Sequence, residues 1–213
     1  MAKYPIFLEL KHKTVLIIGG GNIALRKAQA LIRAQAKVLI IAQTICTSIK
    51  ELCSHNQVEF NETDYNQKYL NKKTLVIAAT DNMALNERIY QDCQINNIPC
   101  NTVDIPHLCD FYVPAVMHQG NLQIAVSTNG KCPAYAGYIR KKLEQMFTKQ
   151  HSHFLDELGK IRLFIIKSIA DYDKRKACLT QLAQDESFDI FINKGTDTWI
   201  KYAHKVIKKE IQN

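Results

Sequence analysis

Apolar positions in the first hundred residues fall into short unbroken runs, separated by stretches with helical spacing. Thr14-Val15-Leu16-Ile17-Ile18 is continuous, apolar and β-branched, the make-up of a strand buried on both faces. Beyond Gly19-Gly20-Gly21, Ala24, Ala28, Leu31 and Ala34 recur on one helical face, with Arg26, Lys27 and Arg33 off it. Residues 37–42 predict a second strand, 45–52 a short amphipathic helix and 58–60 a short strand. Residues 74–79 predict a fourth strand, 83–96 a helix with Asp81 as a plausible N-cap, and 99–103 a fifth strand. Strands alternating with helices imply a parallel sheet covered on both faces.

The pattern changes after Pro114. Residues 122–126 alternate with period two, which predicts a strand with one solvated face. Residues 133–147 read as a helix with proline in its first turn, where the missing N–H does no harm. From His151 the chain reads as helical, with Phe154, Leu158, Ile161, Ile165 and Ile169 at spacings of three and four, and Trp199, Tyr202 and Val206 alike near the end. Three parts are expected: an α/β nucleotide-binding domain at 1–113, a connecting module at 114–147 and a helical C-terminal domain at 148–213.

Composition narrows the function classes. Forty-six per cent apolar and 23% charged residues make a globular chain, and no apolar run is long enough to cross a bilayer. No signal peptide is visible, and seven scattered cysteines without a C-x-x-C pair suggest reduced thiols in the cytoplasm. The histidines show no close ligand spacing apart from His151 and His153, which read as a solvated helix start, so no metal site is expected. The net charge of +8 is uneven: residues 114–150 carry Lys131, Arg140, Lys141, Lys142 and Lys149 against Glu144 alone. Such a surplus suits nucleic acid, an anionic membrane surface or an acidic small molecule. Nucleic-acid recognition motifs and interleaved aromatics are missing, which disfavours the first.

Gly19-x-Gly21-x-x-Ala24 follows a strand and opens a helix, the context that a dinucleotide fingerprint requires. The first glycine permits the tight turn, the second lets backbone approach a pyrophosphate, and the small third residue allows close helix–strand packing. The phosphates would sit on the helix N-terminus, near Asn22 and Ile23, where free N–H groups and the dipole favour anions. With the alternation of strands and helices, the first domain reads as a doubly wound Rossmann fold; the alternative for the motif is a structural glycine turn in a non-binding α/β domain. An acidic residue normally ends the second strand and bonds the adenosine ribose, but here the chain reads Ala42-Gln43-Thr44. Gln43 and Thr44 could bond a ribose and no arginine is near for a 2′-phosphate, so NAD is favoured over NADP without being settled.

Ligands of such sheets bind beyond the carboxyl ends of the strands. Thr80 and Asp81 end the fourth strand there, Asp81 being either a helix cap or a cofactor contact. Asp104 ends the fifth and is either a general base beside the nicotinamide or a loop-capping side chain. Ser127-Thr128-Asn129-Gly130-Lys131-Cys132-Pro133 joins a strand to a helix, as an anion site or an ordinary polar turn.

Taken in order, six segments resemble the precorrin-2 dehydrogenase and sirohydrochlorin ferrochelatase family, the dehydrogenase module of siroheme synthase. They are Tyr4-Pro5-Ile6-Phe7-Leu8, Gly19 to Lys27, Ala78-Ala79-Thr80-Asp81 with Leu85-Asn86, Asn101-Thr102-Val103-Asp104, Phe111-x-x-Pro114-Ala115, and Ala125 to Pro133. The resemblance covers residues 1 to about 146 and implies NAD-dependent oxidation of precorrin-2 to sirohydrochlorin. Insertion of Fe²⁺ into sirohydrochlorin, to give siroheme, is implied as a second activity, with iron as a substrate.

The family's catalytic aspartate falls on Asp104. Its cofactor contacts fall on Gly21, Asn22, Ile23, Gln43 and Thr44, and the glycine turn and the strand end add Gly19, Ala24, Thr80 and Asp81 to the expected cofactor site. Substrate contacts are expected at Asn101, Ser127, Thr128, Asn129, Gly130, Lys131 and Arg140. Two departures stand out: Ser-Ser-Gly-Gly is Ser127-Thr128-Asn129-Gly130 here, and Ser-Pro is Cys132-Pro133. The resemblance also implies a homodimer through residues 114–147, and a chain of 213 residues has no room for the methyltransferase that some members carry. The basic surplus then reads as attraction for a substrate with eight carboxylates. Two rival readings are a dehydrogenase without chelation and a module that senses NAD(H) and does no chemistry.

Overall fold

The computed structural model describes residues 3–55 and 57–212. The chain divides into two compact units, one of Lys3–Val113 and one from Pro114 onward.

The first unit is a five-stranded parallel sheet in the order β3-β2-β1-β4-β5. Its strands are β1 (Thr14–Ile18), β2 (Lys37–Ala42), β3 (Val58–Glu62), β4 (Leu75–Ala78) and β5 (Cys100–Thr102). Connecting them are α1 (Asn22–Arg33), α2 (Thr47–Ser54) and α3 (Met83–Ile95), with a short 3₁₀ turn at Gln67–Leu70. The unbroken apolar run of β1 now has a physical reason. Val15 and Ile17 join Ala24 and Ala28 of α1 in one core, while Leu16 and Ile18 join Ile89 and Cys93 of α3 in another. A strand between two helical layers needs apolar side chains at every position. The chain leaves β1 first to one side and later returns to the other, so β1 and β4 flank the switch point of the sheet.

Three local expectations are corrected. The N-cap of α3 is Asn82, whose side chain accepts from the Leu85 amide at 3.0 Å, and not Asp81. Helix α2 starts after Cys46, which has extended backbone, so it begins two residues later than its apolar pattern suggests. Strand β3 continues to Glu62, because its pairing with β2 extends to Ala42.

The second unit opens with an antiparallel hairpin, β6 (Ala115–Gln119) and β7 (Leu122–Val126). The sequence did not signal β6, since its positions lack the clean alternation of β7. Gly120 turns the hairpin with φ +57°, a left-handed conformation that glycine adopts at little cost. Asn121 beside it donates to Asp156 at 3.0 Å. Helix α4 (Pro133–Met146) packs on this hairpin, and Ala136 is its buried residue.

The remainder is helical, as expected, and forms four helices, α5 (Lys149–Ser168), α6 (Tyr172–Leu182), α7 (Asp185–Lys194) and α8 (Thr196–Gln212). The breaks are chemical: Asp171 caps α6 through the Lys174 amide at 2.8 Å, and Gly195 at φ +82° stops α7. Their core centres on Trp199, fully buried, with Phe154 edge-on at 5.4 Å and its indole N–H donated to Ser187 at 2.8 Å. No helix of the described residues is long and apolar enough to cross a membrane.

Candidate functional site

A cleft of about 1090 Å³ opens at the carboxyl ends of the parallel strands. The turn after β1 forms its floor. Gly19 has φ +120°, and a Cβ there would collide with the carbonyl of Ala79. Gly20 is equally constrained, because a side chain would meet the carbonyl of Thr44 as the chain passes toward α2. Gly21 differs: a Cβ would touch nothing within 4 Å, leaving open space at the start of α1. Gly21 caps α1 without a side-chain bond, and the first turn carries no acid. The leading N–H groups of α1 and the positive end of its dipole therefore remain available to an anion. This donor set fits a dinucleotide pyrophosphate. Asn22 and Ile23 line the cleft, whereas Ala24 is fully buried and packs against the sheet.

Gln43 and Thr44, at the end of β2, line the same cleft. Gln43 Nε2 donates to Oδ1 of Asp64 at 2.8 Å. Asp64 stands just beyond β3 and also lines the cleft, as does Tyr65. The Tyr65 hydroxyl donates to Asp92 of α3 at 3.0 Å, and burial followed by this bond pushes its pKa well up. A carboxylate is thus present beside the end of β2, from the strand next to the expected one.

The opposite wall is built by the turns after β4 and β5. Thr80 donates to Asn86 Oδ1 at 2.7 Å and its carbonyl accepts from Asn86 Nδ2 at 3.0 Å, so a buried amide pins the turn carrying Thr80 and Asp81. Asp104 lines the cleft in a left-handed conformation, φ +61°. Its turn is clasped from behind. The Cys109 thiol lies 3.1 Å from the Thr102 carbonyl and 3.3 Å from that of Ile105. Asn101, expected to meet substrate, does not line the cleft; it is buried and donates to the Phe111 carbonyl at 2.8 Å and to Cys109 Sγ at 3.4 Å. Lys27 of α1 lies in the fields of Asp104 and Cys109. Burial and then Arg26 lower its pKa, and those two groups oppose the shift.

In the second unit, the turn before α4 is ordered by its own side chains. Ser127 Oγ accepts from the Asn129 amide at 3.2 Å and Thr128 Oγ1 from that of Cys132 at 3.2 Å. Asn129 and Gly130 are both left-handed, with φ +55° and +82°. Lys131 is exposed beside them, and Arg140 pairs with Glu144 one turn along α4. All seven cysteines are unbridged, and among the described residues no group of three or more His, Cys, Asp or Glu could hold a metal ion.

A family model described as NAD(P)-binding matches residues 6–115, slightly over half of the chain. The chain belongs to this NAD(P)-binding family. A second model, for the central part of a sirohaem biosynthesis protein, matches residues 119–146, which hold the hairpin and α4. Among curated relatives of this family member, siroheme synthase of Psychrobacter arcticus is 39% identical over 76% of the chain and 30% of the relative. Siroheme synthase of Buchnera aphidicola is 30% identical over 97% of the chain and 44% of the relative. The chain thus spans less than half the length of these relatives. A solved structure of SirC, precorrin-2 dehydrogenase, superposes with a TM-score of 0.76 over 97% of this chain and 100% of that one, at 20% identity. The likeness extends the shared fold beyond the sheet to the hairpin and the helices.

Sequence reading found Gly19, Gly21, Asn22, Ile23, Gln43, Thr44, Thr80, Asp81 and Asp104, which the structure brings together around one cleft. It missed Gly20, Asp64, Tyr65, Asn82, Asn86 and Cys109. Gly20 had a signal, three glycines in a row, but the motif assigns its position no role. Asp64 had none, because only the pairing of β3 with β2 brings it beside Gln43.

Proposed function

We propose that the chain is an NAD-dependent precorrin-2 dehydrogenase of siroheme biosynthesis, which yields sirohydrochlorin. The observation that carries this reading is Asp104, held on the wall of the cleft whose floor is the glycine turn and the open start of α1. NAD⁺, when bound, takes up the hydride that precorrin-2 gives up. The chain's part is then to hold the pyrophosphate on the amides of α1, the ribose near Gln43 and Thr44, and the reacting carbon near Asp104. The Asp104 carboxylate accepts the proton that leaves the macrocycle with the hydride, so that the products are sirohydrochlorin, NADH and one proton.

Residues 127–131 and Arg140 are assigned to the substrate's carboxylates. The left-handed turn at Asn129-Gly130 and the exposed Lys131 support this assignment, since they present backbone and a cation to an anion. Insertion of Fe²⁺ into sirohydrochlorin, with release of two pyrrole protons, is proposed as a second activity in which Asp104 again accepts protons. The macrocycle itself supplies the nitrogen ligands. A homodimer formed through residues 114–147, working in the cytoplasm with its thiols reduced, completes the proposal.

The test is Asp104→Ala. The variant is expected to bind NADH as the wild type does and to lose at least about a hundredfold in precorrin-2 turnover, the scale of a missing general base. Full turnover by the variant would remove Asp104 from the chemistry.

A further inference from the structure

In a chain with a net charge of +8, the nucleotide cleft runs against the overall balance. Among the described residues lining it are three carboxylates, Asp64, Asp81 and Asp104, and no lysine, arginine or histidine. Asp64 stands next to the end of β2, where the adenosine ribose of a bound dinucleotide lies. The ladder positions it: Ala42 pairs with Glu62, the Thr63 amide donates to the Ala42 carbonyl at 3.2 Å, and Asp64 is the next residue. Its Oδ1 accepts from Gln43 Nε2 at 2.8 Å, which orients both side chains along the ribose edge of the cleft.

We infer that Asp64, held by Gln43, makes the site specific for NAD over NADP. This rests on the nucleotide reading of the cleft and deepens it. A ribose 2′-hydroxyl is a donor that a carboxylate accepts. A 2′-phosphate is a dianion; beside Asp64 it meets like charge, and no cation of the cleft wall offsets the repulsion. Discrimination usually depends on an acid that ends the second strand. Here the acid comes from the third strand and acts across the β2–β3 ladder, with the amide of Gln43 occupying the usual position.

The experiment is calorimetric titration of the full chain with NADH and with NADPH, without tetrapyrrole. The wild type is expected to bind NADH at least about tenfold more tightly, the scale of one close charge contact in a partly solvated site. Asp64→Asn is expected to cut that ratio roughly fivefold by raising NADPH affinity, and Asp64→Lys to abolish or invert it. Asp64→Glu is expected to retain the preference. Equal wild-type affinities, or a ratio unmoved by Asn and Lys at position 64, would overturn the inference and leave nucleotide binding standing. Binding of neither dinucleotide would overturn both.

Discussion

At the scale of single residues, the glycine turn shows how much a motif conveys and where it stops. Gly19 and Gly21 were legible because their roles follow from general backbone chemistry: one needs a positive φ, the other leaves open space over a helix start. The need for Gly20 depends on Thr44, 24 positions away, whose carbonyl occupies the volume a Cβ would take. Ala at position 20 is therefore expected to destabilise the first unit by about 2 kcal/mol, typical of overpacking against rigid backbone. Urea denaturation would measure this, and an unchanged midpoint would mean that the Gly20–Thr44 approach relaxes freely. Asp104 was legible as a candidate from its place at a strand end. Its support was not, because Cys109 and Asn101 meet the turn only after the chain doubles back.

At the scale of elements, the sequence pattern located every strand of the parallel sheet, and it was plainest in β1, β2 and β4, where burial on both faces leaves a continuous apolar run. Ends were less legible. They depend on caps, and a cap is decided by geometry between neighbouring candidates. Asp81 and Asn82 are both suitable residue types, yet only Asn82 presents its oxygen to the Leu85 amide. Asn82→Ala is accordingly expected to cost about 1 kcal/mol, against no more than about 0.5 kcal/mol for Asp81→Ala. Comparison of the two variants by chemical denaturation checks the assignment, and the reverse order would restore Asp81 as the cap. The four C-terminal helices make a related point. The turns at Asp171 and Gly195 rest on a local cap and a left-handed glycine, which the apolar spacings of 154–169 and 199–206 do not register.

At the scale of the whole molecule, the +8 divides by function. The nucleotide cleft is lined by carboxylates, while residues 114–150 hold five cations against one acid. Under the proposed function, the acidic cleft is assigned to the cofactor ribose and the cations of 114–150 to a polyacidic macrocycle, which would account for a surplus that composition alone left open. The most direct measurement is anaerobic incubation of the full chain with precorrin-2 and NAD⁺, following the macrocycle spectrum and NADH together. The expected result is conversion to sirohydrochlorin with one NADH formed per macrocycle. Tight NADH binding with no change in the macrocycle would contradict a dehydrogenase and leave a nucleotide-binding module without this chemistry.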